Sequence, residues 1–230
     1  MSSNPEVSVV IPCLNEEAGI KICVEKVKEV FKKENITGEI IVVDNGSVDR
    51  TGEIALSAGA RVVFEYEEGY GSAYITGLKE AKGNLIIIAD GDNTYDFSEI
   101  PKFINPLRKK VDFVIGNRFK GRIHKGSMPF FNRYVGNPVL SGLYRMVFKT
   151  KISDIHCGMR AFTRKAYEKM DLKCKGMEFA AEMVMEAINN RLSIEEVPVN
   201  YFPRKGKSKL RALPDAWRHI RFIFEKSGNY

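Results

Sequence analysis

Short runs of aliphatic and β-branched residues alternate with amphipathic stretches through the first half of the chain. Val7–Ile11, Glu39–Val43, Arg61–Phe64, Asn84–Ala89 and Asp112–Ile115 each read as a strand bounded by turn-forming or charged residues. Between the first two, Ile20, Val24, Val27 and Phe31 share one helical face, with Asn15 as a candidate N-cap ahead of them. Thr51–Ser57, Ser72–Lys82 and Ser98–Lys109 read as further helices. This βαβ rhythm predicts an α/β fold: a mostly parallel central sheet, flanked by helices and joined by right-handed crossovers.

After Phe119 the rhythm breaks. A loop rich in Gly and Lys, 120–127, leads into Phe130–Phe148, which the pattern predicts as helical despite Pro138. Thr163–Lys169 and Met177–Asn190 follow as helices and Ile194–Tyr201 as a strand. Leu210, Leu213, Trp217, Ile220 and Phe224 then fall on one stripe, with Arg211, Arg218 and Arg221 elsewhere on the turn. A basic amphipathic helix carrying Trp and Phe suits a membrane surface; packing on the chain's own core is the competing reading. The expected division is an α/β unit over 1–209 and an amphipathic, membrane-interfacial helix over 210–230.

Composition narrows the chemistry. A chain of 230 residues can bury one substantial core. The net charge of +7 and pI near 9.1 point to an anionic partner. No nucleic-acid motif accompanies the charge, so a nucleic-acid partner is not expected. Cys13, Cys23, Cys157 and Cys174 lack zinc or CxxC spacing, which favours a reduced, cytosolic setting. No signal peptide is legible, and no apolar run approaches the roughly 18 residues needed to span a bilayer. Gly69-Tyr70-Gly71 with Gly77 has the wrong spacing for a dinucleotide fingerprint and does not follow the first strand, which excludes a Rossmann dehydrogenase.

The strongest chemical signal is Asp90-Gly91-Asp92, directly behind the apolar run Asn84–Ala89. In open α/β sheets, ligands bind beyond the carboxyl ends of the strands. Two carboxylates there make an oxygen site for Mg²⁺ or Mn²⁺, which in turn would hold a diphosphate. A plain Asp-Gly-Asp turn is the alternative. Asp44 ends the second strand in the same way, placed to accept from a nucleobase or ribose or simply to cap a turn.

Eight segments in order resemble the family 2 glycosyltransferases, and within them the dolichyl-phosphate mannose and glucose synthases. They are VSVVIPCLNEE (7–17), IIVVDNGSVDRT (40–51), GYGSAYITGLKEAKG (69–83), IIIADGDNTY (86–95), VIGNRF (114–119), SDIHCGMRAF (153–162), GMEFAAEM (176–183) and PRKGKSKLR (203–211). The resemblance implies a GT-A fold and inverting transfer of a sugar from a nucleotide donor to a polyprenyl (dolichyl) phosphate. It implies that Pro12, Asn15, Glu16 and Asp44 line the nucleoside pocket and that Asp90 and Asp92 hold the metal. Arg118, Arg133, Arg204 and Lys209 would meet phosphates, mainly that of the lipid. Asp154 and Glu182 would be polar residues of the sugar and acceptor pocket, with Asp92, Arg118 and Asp154 as the catalytic set. Thr94 stands where the mannose synthases carry Gln, which leaves a third metal ligand open. Cys157, Met159 and GMEFAAEM resemble the glucose- and N-acetylhexosamine-type relatives, which favours a UDP-sugar over GDP-mannose. A phosphate acceptor is already anionic, so no general base is needed and His124, His156 and His219 are read as structural. Transfer to a glycan or protein hydroxyl, or a non-catalytic nucleotide-binding membrane module, are the alternatives. The expected setting is peripheral, at the cytosolic face of a membrane, with a membrane subunit or a transmembrane continuation as further possibilities.

Overall fold

The computed structural model describes residues 4–206, 218, 221–223 and 225. Seven strands form one sheet: β1 (Val7–Cys13), β2 (Gly38–Asp44), β3 (Arg61–Phe64), β4 (Leu85–Ile88), β5 (Phe113–Asn117), β6 (Arg160–Thr163) and β7 (Ile194–Pro198). Their order is β3-β2-β1-β4-β6-β5-β7. The β1, β4 and β5 side chains are buried on both sheet faces almost throughout, which is why these strands read as continuous apolar runs.

Helices cover the faces: α1 (Ile20–Lys33), α2 (Thr51–Ser57), α3 (Tyr70–Glu80), α4 (Ile100–Arg108), α5 (Asn137–Phe148), α6 (Arg164–Tyr167) and α7 (Phe179–Asn189). In α1 the buried positions are Ile20, Cys23, Val24, Val27 and Val30, a single stripe against the sheet. Lys32 and Lys33 close its last turn, where cations favour the helix dipole.

Three sequence expectations change. Asn15 does not cap α1, which starts at Ile20 with Gly19 before it. Its backbone is left-handed (φ 51°), a conformation Asn tolerates better than most residues, and its side chain reaches across to another loop. The Phe130–Phe148 helix contains a π-helical turn at Asn132–Gly136, and Pro138, which has no N–H to give to the preceding turn, follows directly after that irregularity. Finally, β6 stands where the hydrophobic pattern predicts no strand, and it runs antiparallel to both β4 and β5.

Two C-terminal expectations meet the boundary of the described residues. Leu210, Leu213, Trp217, Ile220, Phe224 and Lys209 lie outside them. Phe222 and Ile223 are described, and both are buried with the main core. No helix among the described residues is long and apolar enough to cross a membrane. The described cysteines are all free.

Candidate functional site

The strand order reverses between β1 and β4: β2 and β3 build outward on one side of β1, later strands on the other. A crevice at the carboxyl ends of the strands flanking such a switch is where open α/β sheets bind ligands. Cys13 and Asp44 are register partners there, and Asp90 follows β4 on the other side of β1. The structure therefore gathers Pro12, Asn15, Glu16, Asp44, Asp90 and Asp92 at one sheet edge, although their numbers span most of the first hundred residues.

Two loops beyond β1 and β2 hold each other. Asn15 N donates to Ser47 Oγ (2.9 Å), Val48 N to Asn15 Oδ1 (2.8 Å) and Glu16 N to Thr51 Oγ1 (2.8 Å). Asp44 is buried, and its Oδ1 accepts from Ser47 N (2.8 Å). A Cβ on Gly52 would come within 2.9 Å of Asp44 Oδ2, so the missing side chain keeps that oxygen's approach open.

The carboxylate pair is held from several sides. Tyr70 and Tyr74, one turn apart on α3, both donate to Asp90 Oδ1, at 3.0 and 3.3 Å. Burial and the neighbouring Asp92 push the Asp90 carboxyl up to about 6, with the two phenols opposing the shift. On its other side Asp90 Oδ2 faces Gly158, where a Cβ would lie 2.7 Å away. Asp92, only 2 % exposed, accepts on Oδ1 from Thr94 N (2.9 Å) and Thr94 Oγ1 (2.6 Å). Thr94 thus spends its hydroxyl on orienting Asp92. Asp92 Oδ2 accepts no hydrogen bond of ordinary geometry, and the Arg204 guanidinium stands 2.6 Å from it as an ion pair. Arg204 also reaches Glu16 Oε1 at 3.4 Å.

Asp90 and Asp92 suit a hard divalent cation. Among the described residues no cluster of three or more Asp, Glu, His or Cys side chains forms a closed metal cage. That is the donor set Mg²⁺ prefers, since it is usually held by one or two carboxylates and completed by water and substrate phosphate oxygens.

Arg118 and Asp154 form a second cluster, beyond β5. Asp154 is fully buried and accepts from Arg118 N (2.9 Å), Nε (2.8 Å) and Nη2 (2.7 Å). Burial disfavours the Arg118 charge, but the Asp154 carboxylate more than offsets this and holds the guanidinium well above its ordinary range. Both Asp154 oxygens are engaged by Arg118, so this carboxylate fixes the orientation of the guanidinium. Behind it, Glu196 of β7 accepts from Ser153 N (2.7 Å), Asp154 N (3.2 Å), Asn117 Nδ2 (3.0 Å) and Lys120 Nζ (2.8 Å). A cavity of about 340 Å³ opens beside this pair, lined by Arg118, Phe119, Ile123, Arg133, Tyr134 and Pro138, with Gly121 at its wall. Arg133 also lies over the Tyr134 ring, 5.3 Å from its centroid. The Glu182 carboxylate, on α7, is buried and accepts from Lys173 N (3.0 Å) and Cys174 N (2.8 Å).

One strap joins the two clusters. Tyr201 bridges to Tyr95 and to Ile123, Phe202 N donates to Thr94 O (2.9 Å) and Lys205 N to Asp92 O (2.9 Å). The Arg118 guanidinium lies 5.3 Å from the Tyr201 ring centroid. Sequence reasoning missed Tyr70, Tyr74, Glu196 and Tyr201. The two tyrosines had a signal, four residues apart in a motif already singled out; Glu196 and Tyr201 had none.

A switch-point crevice, a DxD carboxylate pair and a mixed sheet with one reversed strand define a GT-A fold. The chain belongs to glycosyltransferase family 2, whose sequence profile, described as Glycosyl transferase family 2, matches residues 8–171. It is 44 % identical over 227 residues to the low-salt glycan biosynthesis hexosyltransferase Agl6 of Haloferax volcanii, covering 98 % of this chain and 55 % of that protein. A dolichyl-phosphate hexose transferase of the same organism is 30 % identical over 207 residues, covering 89 % and 86 % of the two chains. The chain thus spans about half the length of the first of these relatives. Among solved structures, glucosyl-3-phosphoglycerate synthase from Mycobacterium tuberculosis, in complex with Mn²⁺, UDP-glucose and phosphoglyceric acid, aligns with a TM-score of 0.78 at 21 % identity. That alignment covers 97 % of this chain and 80 % of the synthase.

Proposed function

We propose that this protein transfers a hexose or N-acetylhexosamine from a UDP-sugar to a polyprenyl phosphate such as dolichyl phosphate, inverting the anomeric carbon. In this reading residues 1–209 are the catalytic unit, working peripherally at the cytosolic face of a membrane. The observation that carries it is the pairing of a DxD carboxylate site with an adjacent cavity lined by two arginines and by apolar side chains. The dolichyl-phosphate hexose transferase relative supports the acceptor class, and the Mn²⁺–UDP-glucose complex of the structural neighbour supports the donor and the metal.

The main obstacle to the reaction is electrostatic. Two unit charges about 4 Å apart repel by about 4 kcal/mol at an effective dielectric near 20, and donor and acceptor bring several anionic oxygens together. Asp90 and Asp92 would hold Mg²⁺ or Mn²⁺, which supplies Lewis-acid neutralisation of the departing nucleoside diphosphate. The loops carrying Asn15, Glu16 and Asp44 position the nucleoside. Arg118 keeps its Nε and Nη2 edge on Asp154, so its orientation is fixed before any ligand arrives, and Nη1 lies outside that pair. Arg133 adds a second cation to the same cavity. Arg204 stands close enough to serve the diphosphate side, and Lys209 is assigned there by sequence alone. The acceptor oxygen is already ionised, so rate enhancement rests on positioning and charge stabilisation.

The test is a donor screen. Incubation with labelled UDP-glucose, UDP-N-acetylglucosamine or GDP-mannose, dolichyl phosphate, detergent and Mg²⁺ or Mn²⁺ should yield a labelled lipid that extracts into organic solvent. No product from any donor refutes the reading. Asp92→Asn should abolish transfer while the unfolding midpoint stays near that of the wild type.

A further inference from the structure

We infer that the face running from Phe130 to Met146, across the π turn and α5, seats this protein on an anionic lipid bilayer. This goes beyond the choice of acceptor, and it moves the membrane contact away from the C-terminal stripe, whose neighbours Phe222 and Ile223 are buried in the core.

Six large apolar side chains are exposed within 17 positions: Phe130 (76 %), Phe131 (65 %), Tyr134 (57 %), Val135 (41 %), Val139 (61 %) and Met146 (72 %). The opposite side of the helix carries its packing. Ser141, Tyr144 and Phe148 are buried, and Tyr144 Oη donates to Ala181 O at 2.7 Å, tying α5 to α7. The π turn shapes the exposed side. A straight α-helix would set Phe130 and Met146 about 160° apart, and the extra residue of a π turn reduces this to about 60°. The aromatic and aliphatic groups then share one continuous face, which is the arrangement a contact surface needs and a lone surface residue does not.

Charge selects the occupant. Between Asp112 and Asp154 the chain has no acidic residue and eight Lys or Arg. Among the described residues only Arg118 and Lys120 of these eight enter ion pairs. Lys125, Arg145 and Lys149 are exposed, Arg145 in the last turn of α5 and Lys149 at its C-cap. Aromatic and aliphatic groups accompanied by cations match the boundary between acyl chains and anionic headgroups. A second copy would present the same cations to this face and be repelled. Tyr134 and Pro138 also line the cavity of Arg118 and Arg133, so that cavity opens at the level where lipid phosphates lie.

The experiment is vesicle sedimentation of the full chain with phosphatidylcholine alone and with phosphatidylcholine containing phosphatidylglycerol. The wild type should pellet with the anionic vesicles and be released by high salt. The F130S/F131S/V139S/M146S variant should partition at least about tenfold more weakly, because the apolar insertion is gone. Lys125→Gln, Arg145→Gln and Lys149→Gln together should remove the preference for anionic vesicles. Leu56→Ser with Phe64→Ser, exposed apolar residues on α2 and β3, should change nothing. All variants alter exposed positions, and an unfolding midpoint near the wild-type value confirms that each is folded. Undiminished pelleting of the four-serine variant overturns the proposal. So does a wild-type dimer that becomes monomeric in this variant without any vesicle binding. Vesicle binding through this face with no transfer to any prenyl phosphate upholds the docking face and removes the acceptor assignment alone.

Discussion

Asp154→Ala strips three hydrogen bonds, at 2.9, 2.8 and 2.7 Å, from an Arg118 that is itself only 6 % exposed. The guanidinium cannot lose its proton, and the neighbouring Tyr201 ring at 5.3 Å is a weak substitute for a carboxylate. Removing one partner of a buried pair typically costs about 3–5 kcal/mol, because the other charge stays desolvated and uncompensated. For a domain of this size each kcal/mol moves the midpoint by about 2–4 °C, so the variant should melt about 6–20 °C lower. Asp154→Asn keeps one acceptor oxygen and should fall between the two. The decisive measurement is a double-mutant cycle by urea unfolding, followed by circular dichroism. Arg118→Ala alone leaves a fully buried Asp154 carboxylate unpaired and should be similarly destabilised. The double variant should then lie at least about 2 kcal/mol above the sum of the singles. An Asp154→Ala variant within about 1 kcal/mol of the wild type, or additive singles, would refute the argument that this pair organises the site.

Glu196 supplies a pH prediction. Burial raises its carboxyl, but Lys120 and the Ser153 and Asp154 amides outweigh this and hold it below the usual carboxylate range. The unfolded chain therefore binds the proton first as pH falls, so this contribution is fully present above the ordinary glutamate value and is lost through the acid range below it. Glu196→Gln should flatten the acid limb of a stability-versus-pH curve; an unchanged slope counts against the network. Tyr70→Phe removes the 3.0 Å phenol from Asp90 and leaves Tyr74 in place. The expected result is a metal requirement raised by about tenfold and a midpoint lowered by a few degrees, from the usual strength of a hydrogen bond to a charged acceptor. An unaltered Mn²⁺ titration of activity contradicts it. Gly158→Ala puts a methyl 2.7 Å from Asp90 Oδ2 and 3.2 Å from Tyr95 Cε2. Overpacking of this kind costs about 1–3 kcal/mol and should displace the carboxylate, so a fully active, fully stable variant would be inconsistent with the observed approach.

The first half of the chain was legible because strands and ligand edge share one rule. Each buried run ends where its chemistry begins, so Asp44 and Asp90 could be placed from the positions of Val43 and Ala89 alone. Asn15 misled because a helix cap and a left-handed loop residue both favour Asn, and only tertiary hydrogen bonds separate them. β6 escaped because Arg160–Thr163 has four residues and runs directly into α6, with no turn signal between them. The pairing of Arg118 with Asp154, the use of Glu182 on a backbone loop and the path of the 201–205 strap carry no local periodicity. The first and the last are set by contacts between segments tens of residues apart, and the Glu182 contacts by the fold of the loop eight and nine residues before it, none of which hydrophobic spacing encodes.

The Arg118–Asp154 pair joins positions 36 residues apart, at the exit of β5 and just ahead of β6. The whole excursion between them, with the cavity wall, the π turn and α5, leaves and rejoins the sheet at that staple, and it is tied again through Ile123 to Tyr201 and through Tyr144 to Ala181. Loop-closure entropy grows only logarithmically, by about 0.6 kcal/mol for each doubling of length. The segments between these ties can be lengthened or shortened at small entropic cost while the staple keeps both ends against the sheet. Between its ties the excursion can therefore vary in length and sequence without disturbing the carboxyl edge formed by β1, β2 and β4.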